Sequence, residues 1–448
     1  MSKSLTKKTR LNVVQVLSLG FALVILSGAI LLSLPISSSS GEYTNFIDAI
    51  FTSTSAVCVT GLVTLDTGTY WNTFGQVVII LLIEIGGLGF MSLTTFIAIL
   101  LGKKITLRDR LLIQEAMNTF NLEGLVKMVK YVFALTFTVQ FFGALLLSTQ
   151  FVPQFGIVKG AFYSIFHSIS AFCNAGFDLF GHFNSLVGYS SNIIIIFTIS
   201  ALIIIGGLGF TVWLEIYNYR GSKKLSINSK MVILVTISLL VGGFLLILLF
   251  EYNNPNTLGD MSFKDKLLNS FFASVSPRTA GFNSMSTDGM TMSGKLITII
   301  LMFIGGSSGS TAGGLKTATF GILVLTVISV LKGREDTEVF ERRFSKDIVY
   351  KAFTLLFIAI MIVMVATMIL TVTETGQSFI NLLYEATSAF GTVGLTTGVT
   401  QQLSLGGKLI IILTMYCGRV GPLTVILALL NRKKKTGYKY PEGKILIG

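Results

Sequence analysis

The chain alternates long apolar runs with short polar intervals, and the long runs set its layout. Runs able to cross roughly 30 Å of hydrocarbon fall near residues 13–35, 75–101, 125–151, 191–219, 229–251, 294–331, 347–373 and 406–431. They predict eight transmembrane helices. The first follows KKTR and ends near Pro35 with no small-residue cleavage site after it, so it reads as an anchor helix. Four further apolar stretches are too short to span: 46–62, 161–177, 267–282 and 382–395. A short apolar stretch between two spans suggests a re-entrant segment.

These four stretches align with one another. Anchored on Gly61, Gly176, Gly281 and Gly394, position −6 is Ser55, Ser170, Val275 and Ser388, and position +1 is Leu62, Phe177, Phe282 and Leu395. A second glycine cluster follows each anchor: Gly86-Gly87, Gly206-Gly207, Gly305-Gly306 and Gly418. The chain therefore divides into four span–loop–span repeats, 1–105, 106–222, 223–333 and 334–431, with a tail at 432–448. The expected fold is an all-α integral membrane protein with pseudo-fourfold symmetry about a central pore.

Composition agrees. Of the 448 residues, 52% are hydrophobic and 12% are charged, about half the charge of a soluble domain. The net charge of +13 comes without any basic helix or RNA-binding module, which argues against nucleic acid as a partner. Of 34 Lys and Arg, 26 fall on the side of the termini, six on the other, and Lys316 and Arg419 lie within spans. That asymmetry places both termini in the cytoplasm of a cell-membrane protein. Three cysteines without a C-x-x-C and two histidines without H-E-x-x-H exclude a disulfide framework and a metallohydrolase.

Four re-entrant loops meeting at an axis solve a physical problem. Irregular backbone is tolerated at membrane depth only when buried in protein or lining water. A short helix descending in each loop, for instance 47–57, aims the negative end of its dipole at the axis and favours a cation there. Residues after it must turn carbonyls inward, which needs backbone angles that glycine supplies. A ring of carbonyls replaces the hydration shell of a potassium-sized ion. The alternative for any single glycine is close helix packing.

At this point the residues resemble a known family. The segments CVTGL, CNAGF, RTAGF and TVGL, the two IGGLGF motifs and GGSSGSTAGGLK resemble the Trk/Ktr/HKT superfamily of potassium transporters over nearly the whole chain. The eight spans and the closing YPEGKILIG look most like the Ktr membrane subunit. The resemblance implies potassium selectivity, since the serine that marks sodium-selective plant members in the first filter is absent. It makes Cys58, Val59, Thr60, Gly61, Cys173, Asn174, Ala175, Gly176, Arg278, Thr279, Ala280, Gly281, Thr392, Val393 and Gly394 the filter. It also implies a membrane homodimer bathed in lipid, a cytoplasmic ring of nucleotide-binding regulatory subunits, and no cofactor bound by this chain beyond the transported potassium, with sodium as a stimulator.

The third repeat breaks its own span. Gly305, Gly306, Ser307, Ser308, Gly309, Ser310, Thr311, Ala312, Gly313 and Gly314 interrupt an apolar run, without the G-K-[ST] ending of a phosphate loop. An unwound stretch at this depth faces protein or water, which makes it a candidate gate; the resemblance implies the same. Arg419 is costly in a span unless it meets carbonyls or a counter-charge, so it is expected to hold 305–314, the alternative being an ion pair with Glu84. Lys316 either joins the gate or snorkels from a helix end. Asn174, Thr279 and Thr392 share position −2 and are expected to orient the loops, Arg278 to tie its loop to neighbours, and Cys58 and Cys173 to pack. Asp66, Asp178 and Asp288 are candidates for concentrating cations at the mouth.

The reading is passive, potential-driven potassium uptake. A sodium- or proton-coupled symporter is the alternative, since broken helices also bind coupled ions. An intramembrane enzyme would need a polar catalytic pair within the spans, and no Ser–His or Asp–Asp pair lies there.

Overall fold

In the computed structural model, residues 13–101, 111, 114, 125–222 and 225–421 are described. The basic N-terminal tail, most of the 102–125 loop, residues 422–431 of the eighth expected span and the 432–448 tail lie outside the described residues.

Each repeat opens with a long continuous helix: α1 (Val13–Ser33), α5 (Leu125–Phe155), α9 (Ile227–Glu251) and α13 (Lys346–Thr373). All four contain a stretch long and apolar enough to span. Their outer faces present Leu23, Phe141, Leu249 and Met368, each more than half exposed, as lipid-facing residues should be. A short re-entrant helix follows in each repeat: α2 (Phe46–Val57), α6 (Ile157–Phe172), α10 (Phe263–Val275) and α14 (Phe379–Gly391). Their C-terminal halves are mostly buried.

The first three re-entrant helices are held the same way. Ser53 donates to the carbonyl of Ile25, Ser168 to that of Gln140 and Ser274 to that of Leu240, each at 2.7 Å. The approach needs a helix surface without side chains. A Cβ on Gly28, Gly143 or Gly243 would strike that serine and a leucine (Leu82, Leu202 or Leu301) of the second helix.

The second helices depart from the sequence expectation of unbroken spans. Repeat one gives α3 (Thr73–Leu88) and α4 (Phe90–Leu100), and repeat two gives α7 (Ile193–Leu208) and α8 (Phe210–Ser222). Each pair bends by 94° or 95°. The cause is the last glycine of IGGLGF: Gly89 has φ 78° and Gly209 φ 94°, with ψ 128° and 141°. That conformation ends a helix and strains any L side chain. In repeat three the break widens into a loop over 304–316 between α11 (Met292–Phe303) and α12 (Thr317–Leu331). In repeat four, α15 (Leu405–Val420) ends at Gly421, with φ 94° and ψ 130°. The interruption predicted for one repeat is therefore present in the first three, and in the fourth the helix ends at the equivalent glycine. The eight expected spans resolve into four continuous helices, two bent pairs, one pair divided by a loop, and α15.

Side-chain caps fix where the second helices begin. Asn72, Asn192, Thr291 and Ser404 each accept the amide three residues on, at 3.0–3.2 Å.

Candidate functional site

The four re-entrant helices deliver four turns of one geometry. Position −2 is left-handed in every repeat: Val59 (φ 58°), Asn174 (60°), Thr279 (73°) and Thr392 (51°). The anchor glycines follow at φ 92°, 68°, 80° and 94°. The amide at position −1 is turned back into its helix. Thr60 donates to Ser55 O (2.7 Å), Ala175 to Ser170 O (2.8 Å) and Val393 to Ser388 O (2.8 Å).

The third repeat corrects the sequence alignment. There Ala280 donates to Ser276 O at 2.9 Å, so Ser276 at −5 does the work that serine at −6 does elsewhere, while the carbonyl of Val275 accepts the amide of Arg278 at 3.2 Å. Its turn is one residue tighter.

The glycines form a closed ring in chain order. A Cβ on Gly61 would strike the Ala175 carbonyl, on Gly176 the Ala280 carbonyl, on Gly281 the Val393 carbonyl, and on Gly394 the Thr60 carbonyl. The same positions lie 3.2, 2.9, 3.2 and 3.0 Å from the Cα of Gly176, Gly281, Gly394 and Gly61. Four segments separated by more than a hundred residues thus meet carbonyl to glycine around one axis. Asn174 and Thr279 join neighbouring loops by a side-chain hydrogen bond at 3.2 Å. The −3 residues lie behind the ring: Cys58 and Cys173 are fully buried, and Arg278 nearly so.

The 304–316 loop lies against this ring. Gly313 packs on Thr392, Gly305 on the Cγ2 of Thr279, and Thr311 donates to the carbonyl of Phe172 at 3.3 Å. Its amides pair with the glycines of the second repeat: Ser307 with Gly207 O at 3.0 Å and Thr311 with Gly206 O at 3.4 Å. Arg419 donates to Thr311 O from one nitrogen, and to Gly86 O (2.5 Å) and Gly87 O (3.3 Å) from the other. Glu84 instead accepts from Gln140 (2.9 Å) and Cys173 (3.3 Å), and forms no ion pair with Arg419. Lys316 turns inward to Ala312 O at 2.5 Å and does not snorkel.

The outer acids are each engaged by nearby groups, and Asp66 lies near enough to Asp178 to act on its charge. Asp66 accepts the amides of Thr69 and Phe183 (2.8 and 2.7 Å), Asp178 that of Phe180 (3.1 Å), and Asp288 pairs with Lys295 at 3.4 Å. Two buried residues that the sequence reading passed over do more for the loops. His167 and Glu385 both sit nine residues before their anchor glycine. His167 Nε2 accepts the amide of Leu179 at 3.3 Å, and Glu385 accepts that of Thr400 at 2.8 Å. Both tie the outgoing strand to the re-entrant helix; the signal was a polar residue inside a short apolar run.

Residues 10–435 match the TrkH family, described as cation transport protein. The chain belongs to this family. The potassium/sodium uptake protein NtpJ of Enterococcus hirae is 47% identical over 446 residues, covering 98% of each chain. The Ktr system potassium uptake protein B of Bacillus subtilis is 42% identical over 442 residues, 99% of this chain and 98% of that one. The crystal structure of the potassium transporter TrkH from Vibrio parahaemolyticus shares the fold, with TM-score 0.72 over 96% of this chain and 87% of that one at 18% identity. The expected membership of the Trk/Ktr superfamily therefore holds. The protein is a multi-pass membrane cation transporter and not an enzyme.

Proposed function

We propose that this protein takes up potassium by passive conduction through the glycine ring, driven by an inward-negative membrane potential. The observation that carries this reading is the closed ring of Gly61, Gly176, Gly281 and Gly394 with a carbonyl at each seam. Such a ring offers a dehydrated monovalent cation oxygen ligands without any charged side chain. Moving one charge through 100 mV supplies about 2.3 kcal/mol, so accumulation needs no ATP hydrolysis. Relatives named as potassium uptake proteins support the choice of ion.

The gate is the 305–314 segment of the intramembrane loop, pinned by Arg419 and Lys316. A cytoplasmic nucleotide-binding ring controls it, a membrane homodimer carries it, and the termini face the cytoplasm; the Ktr system names of relatives and the cationic excess on one side support these assignments. The name of the NtpJ relative carries sodium as well, which keeps sodium coupling as the second reading. Purified protein in liposomes separates the two. Potassium uptake under an imposed inward-negative potential, with sodium absent, supports passive conduction; uptake that requires a sodium or proton gradient makes the protein a symporter.

A further inference from the structure

Position −3 carries Cys58, Cys173, Arg278 and Gly391 in the four repeats, so one filter segment alone has a cation there. Arg278 is 7% exposed and takes part in none of the ion pairs among the described residues. Its Nη2 reaches the carbonyl of Gly305 at 3.5 Å, and its Nε has no partner. Gly305 opens the intramembrane glycine run. Its Cβ position also lies 3.3 Å from Thr279 Cγ2, so the third filter segment and the start of the loop touch twice.

The second repeat shows what the third lacks. There Cys173 faces a carboxylate, Glu84, two residues before the glycine pair of the preceding repeat. The residue at that place beside Arg278 is Ile204. Ile204 and Arg278 line a narrow cavity of ≈ 10 Å³ between the second and third repeats, with Thr236, Leu240 and Gly306 on its other walls. A buried guanidinium is costly unless its donors are used. Without a counter-charge, the backbone carbonyl of Gly305 is what this one has to hold.

We propose that Arg278 is a positioning residue that couples the third filter segment to the intramembrane loop. The guanidinium stands on the filter side and grips the first carbonyl of the loop. A displacement of the loop is thereby felt at Thr279–Gly281, and selectivity depends on the state of the gate. Cys58, Cys173 and Gly391 have no side chain of that reach, so a guanidinium grip of this kind occurs in one repeat of four, beside the packing of Gly313 on Thr392 in the fourth. The inference rests on the reading that the glycine ring conducts and the loop gates.

The test uses the whole chain in liposomes, reading potassium and sodium flux under an imposed potential. Arg278→Gln is expected to lower the potassium-to-sodium flux ratio roughly tenfold, about the worth of one charge-assisted hydrogen bond. Arg278→Lys restores much of it, because an ammonium still supplies a charged donor to the same carbonyl. Ile204→Glu offers the guanidinium a competing carboxylate. It is expected to lower the ratio in the Arg278 background and to have no further effect in Arg278→Gln. A wild-type ratio in folded Arg278→Gln, or an Ile204→Glu effect of equal size in both backgrounds, overturns the coupling. Should Arg278→Gln fail to fold, Ile204→Glu alone decides, a wild-type ratio counting against the inference. Loss of potassium flux in the unaltered protein would instead sink the proposed function.

Discussion

Arg419 donates to the carbonyl of Thr311, bridging the end of α15 to the middle of the intramembrane loop. The same guanidinium reaches Gly86 and Gly87 at the end of α3, so one side chain joins repeats one, three and four. In the repeat alignment Arg419 stands where Gly87 and Gly207 stand. A planar fork of donors suits two separated carbonyls in a way an ammonium does not.

Arg419→Ala is therefore expected to free the loop and raise potassium flux roughly tenfold, the worth of one or two charge-assisted hydrogen bonds. Deleting residues 307–312 is expected to do the same. Arg419→Lys, which reaches one of the two carbonyls, falls between. Flux into liposomes at fixed protein density measures this; wild-type flux in both variants removes the gate assignment.

Selectivity follows from the ring. Gly281 has φ 80°, where a side chain costs about 1–2 kcal/mol, and a Cβ there strikes the carbonyl of Val393. Gly281→Ser is expected to displace that carbonyl and reduce potassium preference over sodium about fivefold to tenfold. Gly333, outside the ring, also has positive φ (68°) but has nothing within 4 Å of its Cβ position. Gly333→Ser therefore controls for backbone strain alone and should keep the wild-type preference. An unchanged ion ratio in Gly281→Ser sinks the assignment.

Much of this was legible in the chain because fourfold repetition marks the same residue types four times. Gly61, Gly176, Gly281 and Gly394 stand out by register, and their meeting follows from symmetry. Hydropathy could not reveal the bends at Gly89 and Gly209, because an apolar run reads alike whether straight or turned through a right angle. Ser276 was hidden because its repeat has a tighter turn, which puts it at −5 while alignment by position places Val275 at −6. The partner of Arg419 was legible only as a chemical need for carbonyls. That Gly86 and Gly87 share it with Thr311 required the packing of α15 against α3.

Stability of the third repeat rests on Glu251. This side chain is fully buried. It accepts the amide and hydroxyl of Thr291 (2.9 and 2.7 Å), and Asn254 and Thr257 (both 2.7 Å). Glu251→Ala leaves these donors unpaired and is expected to destabilise the fold by about 2–4 kcal/mol. Thermal unfolding in detergent, followed by tryptophan fluorescence, measures the loss. A midpoint equal to that of the unaltered chain contradicts it.

Acid should stabilise the outer connection of the second repeat. Burial, with the charge of Asp66 adding to it, pushes the Asp178 carboxyl up to about 7 against the opposing amide of Phe180. Between the ordinary carboxylate range and that value, the folded chain holds a proton the unfolded chain has lost. Stability is therefore highest below the ordinary range and declines as pH rises through about 7. Asp178→Asn removes the decline while keeping an acceptor for Phe180. The unaltered protein should lose more melting temperature than Asp178→Asn between about pH 5 and about pH 8. Parallel profiles would exclude Asp178 as the source.

The central claim is that four glycine-bearing segments form a passive, potassium-selective pathway. The most direct measurement is the reversal potential of current through the purified protein in a planar bilayer, with potassium on one side and sodium on the other. The account expects a reversal displaced strongly toward the potassium equilibrium potential. In Gly281→Ser the reversal should move toward zero. A reversal near zero in the unaltered protein, or no current unless sodium is present on the potassium side, contradicts it.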